Sequence, residues 1–182
     1  ARSDGRQAAL AGEVRSEQYR SKQTVMAAKS INSGLCALCG QRATKSKMNA
    51  HSEACAAAHD ETGKPQPLVV LRFAPAGAPH YWLVIEAKAD AQLSHVDGLL
   101  RQLWLECCGH MSAFRVGRRE LAMTTATAIA FAGAASKVEY EYDFGSTTAL
   151  TGELVGKRHG SIGRASVRLR APTEPLGWAC GQ

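Results

Sequence analysis

Two residues separate Cys36 from Cys39, eleven lie between Cys39 and His51, and three lie between His51 and Cys55. This Cys-x2-Cys…His-x3-Cys pattern constrains the fold more than any other part of the chain. Three soft thiolates and one imidazole suit tetrahedral zinc, which binds such ligands tightly and has no redox chemistry. Cys36 and Cys39 belong on a tight knuckle that Gly40 can relax. His51 and Cys55, four apart, fall on one side of a helix and can reach the same ion. Four protein ligands fill the tetrahedron and leave no position for water or substrate, so the expectation is one structural Zn2+. A redox Cys-x2-Cys needs a thioredoxin-like strand–helix context, whereas here a His-x3-Cys follows. His59 competes with Cys55 as fourth ligand but has the poorer spacing from His51.

What such a finger touches is a separate question. In fingers that read DNA an aromatic sits four residues after the second cysteine; this chain has Ala43 there, and Met48 takes the apolar place before the histidine. The base-reading positions become Thr44, Lys47 and Ala50, of which only Lys47 can contact a guanine edge, while Arg42 and Lys45 suit phosphates. One finger with one reader confers little specificity. A folding clip or a protein contact therefore stands beside nucleic-acid binding.

The formal net charge of +6 is concentrated in two places. Residues 1–33 carry Arg2, Arg6, Arg15, Arg20, Lys22 and Lys29 against Asp4, Glu13 and Glu17. Residues 156–170 carry Lys157, Arg158, Arg164, Arg168 and Arg170 with no acid. Such strips favour phosphate-bearing partners, DNA or RNA; the alternative is a solvated basic surface. A hydrophobic content of 45% excludes disorder throughout. No stretch approaches the ~20 apolar residues of a membrane span, and residues 1–24 are polar, unlike a secretory leader. The cysteine pattern fits ligands and reduced thiols better than a secreted disulfide framework, which points to a cytoplasmic protein.

Four segments follow from local patterning. Residues 1–33 read as a basic tail, partly helical (Ser16 to Ile31) or disordered, and residues 34–58 as the zinc-finger module. His59 to Pro67, with Gly63, Pro65 and Pro67, reads as a linker. Residues 68–171 form the main domain and residues 172–182 a C-terminal tail. Within the domain, Leu68 to Phe73 and His80 to Ala87 predict strands. Val96, Leu99, Leu100, Leu103 and Trp104 give a helical stripe, with Asp90 or Ser94 as cap and a left-handed Gly109 beyond its end. Met111 to Val116 returns to strand; residues 118–136 leave strand, loop and helix open. Val138, Tyr140, Tyr142 and Phe144 alternate with Glu139, Glu141 and Asp143 as a half-buried strand. Ala149 to Val155 predicts another strand, and Ser166 to Arg170 a last one with Val167 and Leu169 inward, Arg168 and Arg170 outward. The fold class is α+β: a small zinc-finger module followed by a mostly antiparallel sheet packed on one main helix.

The segments HYWLVIEA, LLRQLWLECCGHMSAF and YEYDFGSTTAL resemble the plasmid open-reading-frame-three-like family, related to insertion-element passenger proteins loosely labelled resolvase-like. The likeness covers roughly residues 36–182 and is strongest to the subgroup with a CxxC…HxxxC finger in front. It implies an α+β domain beside one or more zinc modules, in a family without an established activity. Where the wider family has YDFGD and then a tryptophan, this chain has Ser146-Thr147-Thr148, so a role tied to the second acid does not carry over. The ending Trp178-Ala179-Cys180-Gly181-Gln182 resembles the start of a second zinc ribbon with a single ligand, Cys180.

Cys107, Cys108 and His110 invite a second metal site or a Cys–His nucleophile. A helix C-terminus opposes thiolate formation, however, and no orienting third group is evident, so buried structural thiols are the simpler reading. Asp143 is either a general base or, as Asp before aromatic-Gly usually is, part of a turn. No Walker loop, GxGxxG, HExxH or GxSxG occurs, and Gly160-x2-Gly163 reads as a hairpin among basic residues. No small-molecule substrate, no membrane contact and no catalytic residue is inferred. Sequence alone thus favours a non-enzymatic zinc-binding adaptor that contacts nucleic acid through Arg42, Lys45, Lys47, Lys157, Arg158, Arg164, Arg168 and Arg170. The alternatives are a protein-interaction module and an enzyme using Cys108/His110 or Asp143.

Overall fold

The Cys-x2-Cys knuckle is bracketed by a two-stranded antiparallel ribbon, β1 (Ser33–Leu35) and β2 (Arg42–Thr44), and followed by α1 (Lys45–Ala58). This arrangement comes from a computed structural model, which describes residues 33–105, 109–133 and 137–173. The predicted Ser16–Ile31 helix, Cys107, Cys108 and the C-terminal segment from residue 174 on, with Cys180, lie outside the described residues. After α1 come β3 (Gln66–Pro75), β4 (Leu83–Lys88) and α2 (Leu93–Leu100), which runs into a π-helical turn at Arg101–Leu105. Then follow β5 (Ser112–Val116), β6 (Arg119–Leu121), α3 (Thr127–Ala130), β7 (Val138–Tyr142), β8 (Thr148–Gly160) and β9 (Val167–Pro172). Strands β3 to β9 form one antiparallel sheet in the order β6-β5-β7-β8-β3-β4-β9. The class is α+β, as the patterning predicts.

One face of the sheet carries the larger core. Val69, Leu71 and Phe73 of β3 and Leu83, Ile85 and Ala87 of β4 alternate onto it and meet Leu93, Val96, Leu100 and Trp104 from the helix. A buried polar cluster fixes the helix rotation: Asp97 accepts from Ser112 Oγ at 2.6 Å, Tyr140 OH at 2.7 Å and Arg101 Nε at 2.9 Å. Neither Asp90 nor Ser94 caps α2. Gln92 holds that position without a side-chain bond, because the backbone carbonyls of Thr125 and Met123 take the Leu93 and Ser94 N–H groups, both at 2.9 Å. Gly109 is left-handed as expected, with φ of 71°. The open stretch 118–136 contains β6 and the single-turn α3. Strand β7 alternates as predicted through Tyr142 and then stops, since Asp143 takes a φ of 57°, and Phe144 is exposed rather than inward.

The opposite face receives the Cys/His module. Val70, Val84 and Ala171 pack with Trp82 against Cys36, Met48 and Cys55 in a second buried cluster. The knuckle also covers the open edge of β9: Ala37 N–H donates to the Arg170 carbonyl at 2.8 Å, and Gly34 bridges Thr173. Two expectations change on this face. The predicted His80–Ala87 strand begins only at Leu83, because Tyr81 N–H closes a turn onto the Ala78 carbonyl at 3.0 Å. Arg170 points inward and is 1% exposed. Arg170 keeps the alternation with Arg168, but the module covers that face. A bulge, in which β9 pairs Leu169 with Ile85 and Ala171 with Val84, makes Arg170 the extra residue and brings Ala171 onto the same face. A second bulge leaves Val155 unpaired between Leu154 (opposite Leu71) and Gly156 (opposite Val70).

Gly34 sits where nothing larger fits. A Cβ there would lie 2.5 Å from the Trp82 ring and 2.6 Å from the Pro172 carbonyl oxygen. Gly34→Val is expected to destabilise the docked module by about 1–3 kcal/mol, read as a lower urea midpoint by Trp fluorescence. An unchanged midpoint would mean that β1 does not hold this contact in solution.

Candidate metal centre and the basic strip

The ligand atoms of Cys36, Cys39, His51 and Cys55 all lie within 4.8 Å of one another. Cys36 and Cys39 come from the knuckle, closed by Cys36 N–H to the Gln41 carbonyl and Gly40 N–H to the Cys36 carbonyl, both at 2.8 Å. Gly40, with φ of 78°, provides the left-handed residue this turn requires. His51 and Cys55 project from successive turns of α1. The Cys36 and Cys55 sulfurs are 3.8 Å apart, and Cys39 Sγ is 3.3 Å from His51 Nε2. A disulfide has its sulfurs about 2.05 Å apart, and all three cysteines are free. Around a tetrahedral ion with metal–sulfur bonds of about 2.3 Å, neighbouring sulfurs sit about 3.8 Å apart and a sulfur–nitrogen pair about 3.5 Å apart. The residues present therefore lie close enough together to hold a metal ion.

The chemistry of the donor set points the same way. Burial and the two neighbouring sulfurs push the Cys55 thiol up to about 12, so crowded thiols resist ionising without a cation. The Gln41 backbone hydrogen bond holds Cys39 below its ordinary value. His59 is not in the ligand set: its Nδ1 donates to the Cys55 carbonyl at 2.8 Å and lies 3.5 Å from the Cys55 sulfur. That contact orients the Cys55 turn, as outer partners of metal ligands do. Helix α1 has little else to hold it. Its buried residues are Met48, Ser52, Cys55 and Ala56, of which only Met48 has a large apolar side chain.

The strip that contains no acid in sequence is not free of acid in space. Glu86 of β4, fully buried, accepts from Arg158 Nε at 2.5 Å and Arg168 Nη2 at 2.7 Å. Arg158 also pairs with Asp60 at 2.7 Å, and Arg168 Nη1 donates to the His59 carbonyl at 2.8 Å. Burial raises the Glu86 pKa, but the two guanidiniums outweigh it and hold the group below its ordinary value. The reading of Arg158, Arg168 and Arg170 as phosphate contacts is corrected accordingly. Arg158 and Arg168 tie the end of α1 to the sheet, and Arg170 donates to the Ser52 carbonyl from within the core. Lys45 is half-buried and donates to the Pro79 carbonyl at 3.0 Å. Arg42, Lys47, Lys157 and Arg164 are exposed. The Glu86 network was missed because its acid lies seventy-two residues from Arg158 in sequence; only the sheet brings them together.

Of the groups of the enzymatic alternative, Cys108 lies outside the described residues and Asp143 belongs to a turn. Asp143 accepts from Gly145 N–H at 3.0 Å and Ser146 Oγ at 2.6 Å, which hold its carboxyl below the ordinary range. His110 Nδ1 lies 3.6 Å from Asp143 Oδ1 and its ring meets Tyr142 edge-on. Among the described residues no helix is long and apolar enough to cross a membrane.

Cys39→Ser is expected to abolish metal binding, since a hydroxyl is a poor ligand for a soft site, and to cost helical signal from α1 by circular dichroism. Removal of the metal by a chelator should give the same loss, and affinity should fall with acid because thiols must lose protons to bind. Glu86→Gln leaves Arg168 without a charged partner and Arg158 with Asp60 alone, and should destabilise by about 3–5 kcal/mol in urea unfolding. Because the folded-state pKa of Glu86 is depressed, its contribution is present above the ordinary value of 4.5 and is lost as pH falls through the folded value. A wild-type stability that stayed flat through that acid range, or matched the variant's at neutral pH, would refute this role.

No protein-family model and no curated protein matches the chain. Among solved structures it is similar to the crystal structure of a protein of unknown function from Methanosarcina mazei, with a TM-score of 0.51 and 13% identity. The match covers 63% of this chain and 75% of that one. At this identity the likeness concerns the fold alone.

Proposed function

We propose that the chain is a zinc-stapled, non-enzymatic adaptor of the plasmid open-reading-frame-three-like family that contacts nucleic acid through exposed cations. The observation that carries the reading is the closed set of Cys36, Cys39, His51 and Cys55 within 4.8 Å. Three thiolates and an imidazole in a tetrahedron favour zinc over the harder divalent ions. Protein fills every ligand position, so the ion serves to fold and dock the module. Zinc binding in such modules is worth about 10–16 kcal/mol, far more than burial of Met48 supplies at about 1.5–3 kcal/mol. The family assignment rests on the sequence motifs, with which the α+β architecture agrees.

For the nucleic-acid contact, support comes from Arg42 and Lys47 on the module, Lys157 on β8 and Arg164 in the turn between β8 and β9, all exposed. Arg42, Lys157 and Arg164 lie outside the base-reading positions of a finger, which suits binding through phosphates. Elemental analysis should find one zinc per chain. A gel shift should weaken with salt at a log–log slope of about −3.6 for a duplex probe and about −2.8 for a single-stranded one if four phosphates are contacted. Alanine at Lys47, Lys157 and Arg164 together should flatten that slope, whereas no binding at low salt would rule the reading out.

One observation favours a protein partner instead. Met111 and Phe144 are 70% and 47% exposed, and the Asp143 N–H bond to the Met111 carbonyl at 3.0 Å brings their segments together. Exposed large apolar side chains at one place suit docking more than they suit solvent. A pull-down that survives nuclease treatment and is lost with Met111→Ser would support this second reading.

A further inference from the structure

A cavity of about 270 Å³ opens between α1 and the sheet, on the face that carries the metal module. Its walls have distinct chemistry. Val70, Val84 and Val155 contribute methyl groups, Asn49 and Ser52 face them from α1, and Lys157 and Glu53 also border it. Arg170 lines it too. Both bulges serve this cavity, since the two unpaired residues they create, Val155 and Arg170, are the ones aimed into it.

Arg170 is the unusual element. In the surrounding network Arg158 and Arg168 are matched by Glu86 and Asp60, two cations against two carboxylates. Among the described residues Arg170, 1% exposed, has no carboxylate at ion-pair distance, feels Glu86 and Glu53 only from farther away, and makes its one hydrogen bond to the Ser52 carbonyl. Its Nε has no hydrogen-bond partner. A buried cation left in this state is costly, and a site that needs an anion is the simplest reason to keep it.

We propose that this cavity binds a small amphipathic carboxylate, with Arg170 as the anchor for its charge and the three valines as the seat for its apolar body. The volume lies just below the usual range of about 300–1,000 Å³ for ligand pockets, which suits a metabolite-sized molecule. A single unmatched guanidinium calls for one negative charge. Glu53 at the border disfavours more highly charged anions such as phosphate. Lys157, exposed at the opening, adds attraction without being buried.

The test is a titration of the full, metal-loaded, nitrogen-15-labelled chain followed by NMR, with hexanoate, hexanol and inorganic phosphate as probes. Hexanoate should shift the amides of Ser52, Val70 and Gly156 in a saturable way. Hexanol should bind about tenfold more weakly, the loss of one charge-assisted bond. Phosphate should leave those amides unmoved. Arg170→Met should abolish the preference for hexanoate over hexanol. Should that variant not fold, Gly156→Val decides: a Cβ at Gly156 meets Val70 at an ordinary 3.7 Å, so the added side chain enters the cavity, and an unchanged urea midpoint shows that the fold is kept. Binding of hexanoate should then be lost with every cation intact. The proposal is overturned if hexanoate shifts none of these amides, if hexanol binds as well as hexanoate, if phosphate shifts them equally, or if Gly156→Val binds hexanoate unchanged.

Discussion

Helix α1 is a poor helix to bury. Lys45, Ser46, Lys47, Asn49, His51, Ser52 and Glu53 fill most of its first nine positions, and alanine dominates the remainder. Hydrophobic burial cannot hold such a segment on a sheet, because the area it removes from water is small. A metal ion held where the Cys36, Cys39, His51 and Cys55 ligand atoms converge would supply the constraint that the apolar surface lacks. The position of β1 against Trp82, the covering of the β9 edge and the roof over Val70 and Val84 all depend on the helix staying where those ligands hold it.

A second constraint works from the other end of the helix. The Glu86 carboxylate sits beneath the module with a guanidinium on either side, and one of these reaches on to Asp60 just beyond α1. Buried ion pairs of this kind add little net stability compared with an apolar replacement, but breaking one is expensive. Their effect here is directional. They fix where the chain leaves the module and enters β3, so that the ribbon, helix and sheet share one register. The basic strip therefore acts chiefly inside the molecule, and what remains on its surface is a smaller charge than its sequence suggests.

The two bulges show how local irregularity can serve a site. In a regular antiparallel strand Arg170 would face away from Ala171, and Val155 would pair across to β3. Val155 and Arg170 face the space under α1 by alternation, and one extra residue in each strand turns Gly156 and Ala171 onto the same face. Bulges are common beside binding sites, and here they contain an unmatched charge and part of an apolar wall.

The chain's own pattern determined the metal ligands, the alternation of β7 and the apolar stripe of α2, because each depends on spacing within a few residues of one element. Cys36 and Cys39 declare a knuckle, and His51 and Cys55 a helical face, without reference to anything distant. Which arginines reach solvent was decided only in three dimensions. Arg158 and Arg168 look free until β4 brings Glu86 between them, and Arg170 looks outward until the Cys/His module covers its face of β9. Spacing along a chain fixes which atoms can share a turn; pairing across a sheet fixes which charges must share a core.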